Sequence, residues 1–199
     1  MTGPRLVLAS ASPRRADVLR QLGLDPVIRP ADVDETYEPD ETPSKHVERL
    51  ARAKADALVV VESDALIIAG DTVVVDGDVV LGKPAGPEEA VEMLLSLSGR
   101  SHVVMSGIAI AGAHGVVSRV VETVVRFREL SAEDAARYVA TEEPLDKAGA
   151  YGIQGLGARF IERIEGCYYN VVGLPLYRLT TLLAAAGFNV DTQSSTDNS

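Results

Sequence analysis

The stretch TVVVDGDVVLG, residues 72–82, limits what this chain can fold into more than any other segment. Valine runs on both sides of Asp76-Gly77 predict a β-hairpin between Thr72 and Leu81, because a two-residue type I′ turn needs positive φ at both central positions. A hairpin of this kind forces antiparallel pairing. Elsewhere strand-like and helix-like segments alternate, the order that builds parallel sheets. RLVLA (5–9) reads as a short buried strand, and ALIIAG (65–70) as a second one ending at Asp71. Crossovers together with a hairpin leave one class, α/β with a mixed sheet.

The remaining elements follow from local chemistry. After the first strand, Ser12 caps a helix, Pro13 opens it and Gly23 stops it, with Val18, Leu19 and Leu22 on one face. Residues 25–40, rich in proline and acids, read as a short strand and then a loop. Thr42 and Pro43 start a second helix over TPSKHVERLARAKADAL, and a third runs from Pro87 to Ser98 through Ala90, Met93, Leu94 and Leu97. Two valine-rich runs flank GAHG (112–115) as antiparallel strands. Ser131 with Asp134 predicts a capping box for a helix through about Ala140. Strands are predicted at Arg159–Ile164 and Tyr168–Val172, and Pro175 opens a last helix that ends at Gly187. The segment DTQSSTDNS (191–199) has no apolar residue to offset its ordering entropy, so residues 1–190 are read as one domain and 191–199 as a frayed tail.

Charge narrows the partners. Aspartate and glutamate number 29 against 19 lysines and arginines, for a net charge of −10, so the chain lacks the diffuse positive field that gathers polymeric nucleic acid or an anionic membrane. A small anionic substrate remains open to it, because a local cluster of cations can bind one. The single cysteine, Cys167, leaves no internal disulfide and no multi-cysteine metal site, and it reads as a small packing residue. No run approaches the ~20 apolar residues of a membrane span, and the expected location is the cytoplasm.

Several residues invite chemistry. With Ser12 as cap, Arg14 and Arg15 fall in the first turn of a helix, where the macrodipole disfavours cations by roughly 0.3–1 kcal/mol each. Either an anion offsets that cost, with the backbone N–H groups and the serines of SAS (10–12) around it, or both side chains curl outward to Asp17 and water. Counting outward from a loop at Asp76-Gly77 pairs Asp71 with Gly82 and Gly70 with Lys83, which returns Lys83 to the level of Asp71. A general base beside a phosphate-binding lysine is one reading of that pair, a surface ion pair the other. Gly149, Gly152, Gly155 and Gly157 surround Gln154, which can both donate to and accept from a base edge; the segment lets backbone approach a ligand or is a flexible connection. Asp32, Asp34 and Glu35 offer the oxygen ligands that suit Mg²⁺ or Mn²⁺, or form a solvated loop. By itself Lys54 reads as a surface lysine of an amphipathic helix. His46, His102 and His114 show neither metal spacing nor a paired nucleophile.

Taken together, LASASPRRADVLRQLG, VDET, ERLARAKA, GDTVVVDGDVVLGKP and EPLDKAGAYGIQGLGARFIERIEGCYYNVVGLPL resemble the Maf family of nucleoside triphosphate pyrophosphatases along nearly the whole chain. The resemblance implies hydrolysis of the α–β phosphoanhydride of a nucleoside triphosphate to monophosphate and pyrophosphate, with a divalent cation, Mg²⁺ or Mn²⁺. It implies an elongated, twisted sheet flanked by helices, in two lobes around a cleft like that of inosine triphosphate pyrophosphatases, often as a homodimer. Carried over by motif, Asp71 is the catalytic proton acceptor, Ser10, Arg14, Arg15, Lys54 and Lys83 line the triphosphate, and Glu35, with Asp71, positions metal or water. Specificity positions fall on Arg14, Thr72 and Gln154. That set resembles the dTTP/UTP-preferring branch; the 7-methyl-GTP branch typically has tryptophan in the first motif and glutamine after the aspartate. One departure is Gly70, where alanine more often precedes the aspartate, which would loosen the strand end. A nucleotide-sensing, septum-regulating interaction protein is the non-enzymatic alternative.

Overall fold

Helix and sheet come unusually close where small residues face each other. The computed structural model describes residues 4–190, and its sheet begins with β1 (Arg5–Leu8), parallel both to β2 (Val27–Ile28) and to the long β3 (Ala65–Asp76). The sheet continues through β5 (Ser101–Gly112) and β6 (Gly115–Phe127) to β7 (Ile161–Glu165), in the order β2-β1-β3-β5-β6-β7, with the short β4 (Val79–Leu81) paired to β3. Parallel pairs on one side and the antiparallel β3–β4 and β6–β7 pairs make it the mixed sheet expected from sequence. Helices α1 (Pro13–Gln21), α2 (Pro43–Val59), α3 (Pro87–Leu97), α4 (Ala132–Val139), α5 (Tyr168–Val172) and α6 (Leu176–Ala185) complete it. Among the described residues no helix is long and apolar enough to cross a membrane.

The chain divides into two compact units, with boundaries inside β3, β5 and β6 and at the end of α5. In the first, comprising residues up to Asp71, Ser106–Val121 and the segment from Gly173, Ala51 and Ala55 of α2 pack on Val7, Ala9, Ile67, Ala69, Ala109 and Ala111. Alanine against alanine lets the helix settle close to the strands. A Cβ at Gly107 would lie 2.1 Å from the Val47 carbonyl oxygen of α2, so only glycine fits there. The second unit, Thr72–Met105 with Glu122–Val172, buries Val74, Leu94, Leu97, Val125, Phe127, Tyr138 and Phe160 as one core. The fully buried Tyr138 sits edge-on to Phe160, and the His102, Phe127 and Tyr151 rings meet edge-on at 4.8–5.4 Å.

Three sequence expectations change. The hairpin forms, but its loop is Gly77-Asp78: Asp76 pairs with Val79 and Val74 with Leu81. Only Gly77 of the two has positive φ (61°), as a type II′ turn requires, so the register differs from one built on a type I′ turn at Asp76-Gly77. The strand expected to end at Asp71 runs on to Asp76, because the valines beyond it belong to the same continuous ladder. Tyr168–Val172 is a turn of helix rather than a strand. Asn170 N–H donates to the Cys167 carbonyl, and the fully buried Asn170 side chain donates to Val104 O at 2.9 Å and Thr123 Oγ1 at 3.1 Å, so tertiary hydrogen bonding overrides the β preference of YYNVV. The capping box at Ser131 and Asp134 forms as expected, and Cys167 is half-buried. The tail expected to fray lies outside the described residues.

Burial pushes the His102 imidazole down to about 4 from an ordinary 6.5. The unfolded chain therefore takes up a proton between those values and the folded one does not, so stability falls as pH drops from 6.5 towards 4, by roughly 3 kcal/mol in all. Urea titrations across that range should show a shallower slope in His102→Gln than in the natural chain. Gly107→Ala should lower stability at neutral pH by about 1–3 kcal/mol, because the clash is with helix backbone rather than with a movable side chain; an unchanged midpoint would mean that α2 can draw back.

Candidate functional site

The turn between β1 and α1 is organised by Ser10. Its buried hydroxyl accepts from the Ser12 N–H at 3.2 Å and from Arg15 Nη1 at 2.9 Å, while Arg15 Nε donates to the Gly173 carbonyl at 2.9 Å. Ser12 occupies the N-cap position but its side chain caps nothing. Arg15 thus does not curl outward to solvent; Asp17 instead pairs with Arg20, at 2.9 Å. Burial pushes the Arg15 guanidinium down and its neighbour Arg14 adds to this, while the charges of Asp71 and Glu35 oppose it. Its surroundings are therefore the same two carboxylates that the family motif singles out.

Those carboxylates converge on Lys54. Its Nζ lies 2.8 Å from Asp71 Oδ1 and 2.6 Å from Glu35 Oε1. The expectation of a surface lysine is wrong: Lys54 is only 7% exposed. It follows Val47, Leu50 and Ala51 on the inward face of α2, and the close contact of that helix with the sheet carries its ammonium to β3. Asp71 is a mid-strand residue with a 14% exposed side chain, whereas Glu35 comes from the acidic loop and is 61% exposed. Gly70, just before Asp71, lies inside β3 and not at a loose strand end; a Cβ there would sit 3.2 Å from the Gly107 carbonyl and 3.5 Å from Arg15 Nε.

The loop bearing Glu35 is tied to α2 by residues that sequence patterns did not single out. Tyr37 stacks on the buried His46 ring at 3.5 Å, Arg49 Nη2 donates to the Thr36 carbonyl at 2.9 Å, and Glu41 accepts from both Arg49 and His46. Arg49, first, and His46 hold Glu41 down to about 2. Burial raises the Tyr37 hydroxyl, and Asp71 and then Glu41 push it further in the same direction. The available signal was the i, i+3 spacing of His46 and Arg49 just after a helix start.

A divalent cation fits this arrangement in part. Two carboxylate oxygens already point at one positive charge, and Mg²⁺ is commonly held by one or two carboxylates, with phosphates and water supplying the rest. The trio Asp32, Asp34 and Glu35 does not assemble into a site: Asp34 Oδ1 accepts from the Thr36 N–H at 2.9 Å. No group of three or more His, Cys, Asp or Glu residues among those described could hold a metal.

The other candidates belong to the second unit. The two-residue shift in register puts Lys83 beyond the end of β4, exposed, so the expected pairing of its level with Gly70 and Asp71 does not form. Gly149 N–H donates to the Gly82 carbonyl at 3.0 Å, which brings the Lys83 end of the hairpin beside the glycine-rich segment. Thr72 is half-buried next to Asp71 in β3, and Gln154 is exposed between Gly152 and Gly155.

Comparison with known proteins accords with these motifs. The model of a family described as Maf, Maf-like protein, matches residues 5–186. The dTTP/UTP pyrophosphatase of Pelotomaculum thermopropionicum is 51% identical over 187 residues, 93% of this chain and 98% of that protein. That of Moorella thermoacetica is 50% identical over 190 residues, 94% and 97% of the two chains. A solved HAM1 protein from Coxiella burnetii superposes with a TM-score of 0.46 at 17% identity, covering 92% of this chain and 100% of the other.

Removing the ammonium while keeping the side chain's bulk should leave two carboxylates facing each other. Lys54→Met is expected to lose about 2–4 kcal/mol of stability at pH 7, and Asp71→Asn should cost less in the Lys54→Met background than in the natural chain. Chemical denaturation of the four chains checks this, and additive losses would point to packing alone.

Proposed function

The chain belongs to the Maf family, and on that footing we propose that it is a cytoplasmic nucleoside triphosphate pyrophosphatase, cleaving the α–β phosphoanhydride of dTTP and UTP to the monophosphate and pyrophosphate. The observation that carries the reading is the grouping of Arg15, Lys54, Asp71 and Glu35 around the uncapped start of α1, inside a chain of net charge −10. An acidic protein that gathers a half-buried arginine and a buried lysine near a helix N-terminus has built a place for a small, highly charged anion.

Each residue has a role in this mechanism. The N–H groups at the start of α1, with Ser10, Arg14 and Arg15, bind phosphate oxygens and lower the cost of the charge that develops on the leaving pyrophosphate. Lys54 leaves its carboxylates for the incoming phosphates, as a flexible ammonium can, and Lys83 adds a further positive charge. Asp71, freed from that ion pair, accepts the proton of the attacking water as its oxygen bonds to phosphorus and the bridging P–O bond breaks. Arg14, Thr72 and Gln154 discriminate the base. We also propose that Glu35 and Asp71 hold a Mg²⁺ or Mn²⁺ ion, which would supply charge neutralisation to the triphosphate.

Incubation with single nucleotides and Mg²⁺ or Mn²⁺ should release one pyrophosphate per UTP or dTTP, faster than from 7-methyl-GTP. Orthophosphate as product, or no turnover of any nucleotide, would overturn the reading. Asp71→Asn should lower kcat by roughly 10²–10⁴-fold while equilibrium dialysis still finds nucleotide bound. Glu35→Gln should raise the Mn²⁺ concentration needed for half-maximal turnover and weaken Mn²⁺ binding measured calorimetrically.

A further inference from the structure

The glycine-rich segment is not a loose connection: residues 152–157 are wrapped around one carboxylate of their own chain. Glu143 Oε1 accepts from the Tyr138 hydroxyl at 2.8 Å and from the Gly157 N–H at 3.3 Å, and Oε2 accepts from the Leu156 N–H at 2.9 Å. The Tyr138 oxygen in turn accepts from the Gly152 N–H at 3.1 Å. Lys147 Nζ closes the ring by donating to the Glu143 carbonyl and to Asp146 Oδ1. A Cβ at Gly155 would fall 2.3 Å from Glu143 Oε1, and one at Gly157 would fall 2.7 Å from the Tyr138 hydroxyl. Gly157 is therefore demanded by the Tyr138 hydroxyl and by the Gly152 carbonyl oxygen, 2.8 Å from such a Cβ, whereas a Cβ at Gly155 would displace the Glu143 carboxylate from its hydrogen bonds.

Within the span of this ring the chain also holds Glu142 and Ala150 at positive φ, 60° and 56°, conformations that cost non-glycine residues of the order of 1 kcal/mol each and persist only where surroundings impose them. Burial pushes the Glu143 carboxyl up, but the Leu156 N–H, the Tyr138 hydroxyl and the Gly157 N–H outweigh it and hold the group ionised. Burial and Glu143 both raise the Tyr138 hydroxyl, which stays a donor. The one long polar side chain in the stretch bracketed by these bonds, residues 152–157, is Gln154, and it is exposed.

We propose that Glu143 is a positioning residue for substrate recognition: by accepting three hydrogen bonds from Tyr138, Leu156 and Gly157 it sets the backbone that presents Gln154 to the nucleobase. This rests on the pyrophosphatase reading above. The ligand part concerned is the base edge, where a side-chain amide can donate and accept at once. Phosphate binding and proton transfer use other residues, so Glu143 acts on KM and on discrimination between bases, not on the chemical step.

The test is pyrophosphate-release kinetics of the full chain with UTP, CTP and GTP, for the natural protein, Glu143→Gln, Gln154→Ala and the double variant, with inorganic tripolyphosphate as a base-free competitive inhibitor. In Glu143→Gln an amide N–H faces the Leu156 N–H and the ring cannot close. The expected result is an about tenfold higher KM for UTP, kcat within about twofold, a narrower spread among the three nucleotides and an unchanged tripolyphosphate inhibition constant. In the Gln154→Ala background Glu143→Gln should add nothing to KM, which a role in folding alone would not produce. If Glu143→Gln does not fold, Tyr138→Phe, which keeps the buried ring and removes both the donor to Glu143 and the acceptor of the Gly152 N–H, should show the same split. An unchanged KM in a turning-over enzyme, a fall in kcat with loss of tripolyphosphate binding, or additive effects in the double variant would overturn the proposal. Failure of the natural protein to release pyrophosphate from any nucleotide would instead remove the reading on which it rests.

Discussion

Close packing of α2 against the first unit's strands is the contact on which the candidate site depends. Ala51 and Ala55 lie on Ala69, Ala109 and Ala111, and the Val47 carbonyl sits where any side chain at residue 107 would have to go. Seven residues after Val47, Lys54 comes round to the same face and reaches Asp71. A larger residue in that interface would lift the helix and pull the ammonium from its carboxylates. The site geometry is thus a consequence of small side chains that have no chemistry of their own.

The same physical device fixes both irregular segments. Backbone polar groups in loops need partners, and a carboxylate with its several lone pairs can satisfy many at once. Glu41 gathers Arg49, His46 and the Glu38 N–H, and with the Tyr37–His46 stack it pins the loop that carries Glu35. Glu143 gathers Leu156, Gly157 and Tyr138, and shapes the stretch that carries Gln154. In each case an acidic residue outside the proposed chemistry holds the segment from which a proposed site residue projects. Part of the chain's acidity is therefore architectural, which reconciles a net charge of −10 with a function that handles anions.

Much of the fold was readable from local signals, and the failures share a cause. Proline at N1 marked α1, α2 and α3, Ser131 with Asp134 gave the capping box, and valine-rich runs on either side of GAHG located β5 and β6. The errors arose where distant partners decide. YYNVV has the composition of a strand, yet Asn170 finds Val104 and Thr123, and the segment becomes helical. Asp76-Gly77 is a sound hairpin signal, yet the ladder closes one residue later with glycine first in the turn, which displaces Lys83. Lys54 resembled any other lysine on a helix because periodicity alone cannot say how deep a face lies.

The sequence by itself determined most of the element types, the mixed α/β class and the family, and it nominated Ser10, Arg14, Arg15, Lys54, Lys83, Asp71 and Glu35 as a set, because caps, turns and spaced motifs are local and need no knowledge of packing. Only the tertiary structure decided that Lys54 is buried between two carboxylates, that Arg15 turns inward to Ser10, and that the backbone beside Gln154 donates to Glu143. Those facts concern distances between residues far apart in the chain, and burial and hydrogen-bond satisfaction exist only once the chain has closed on itself.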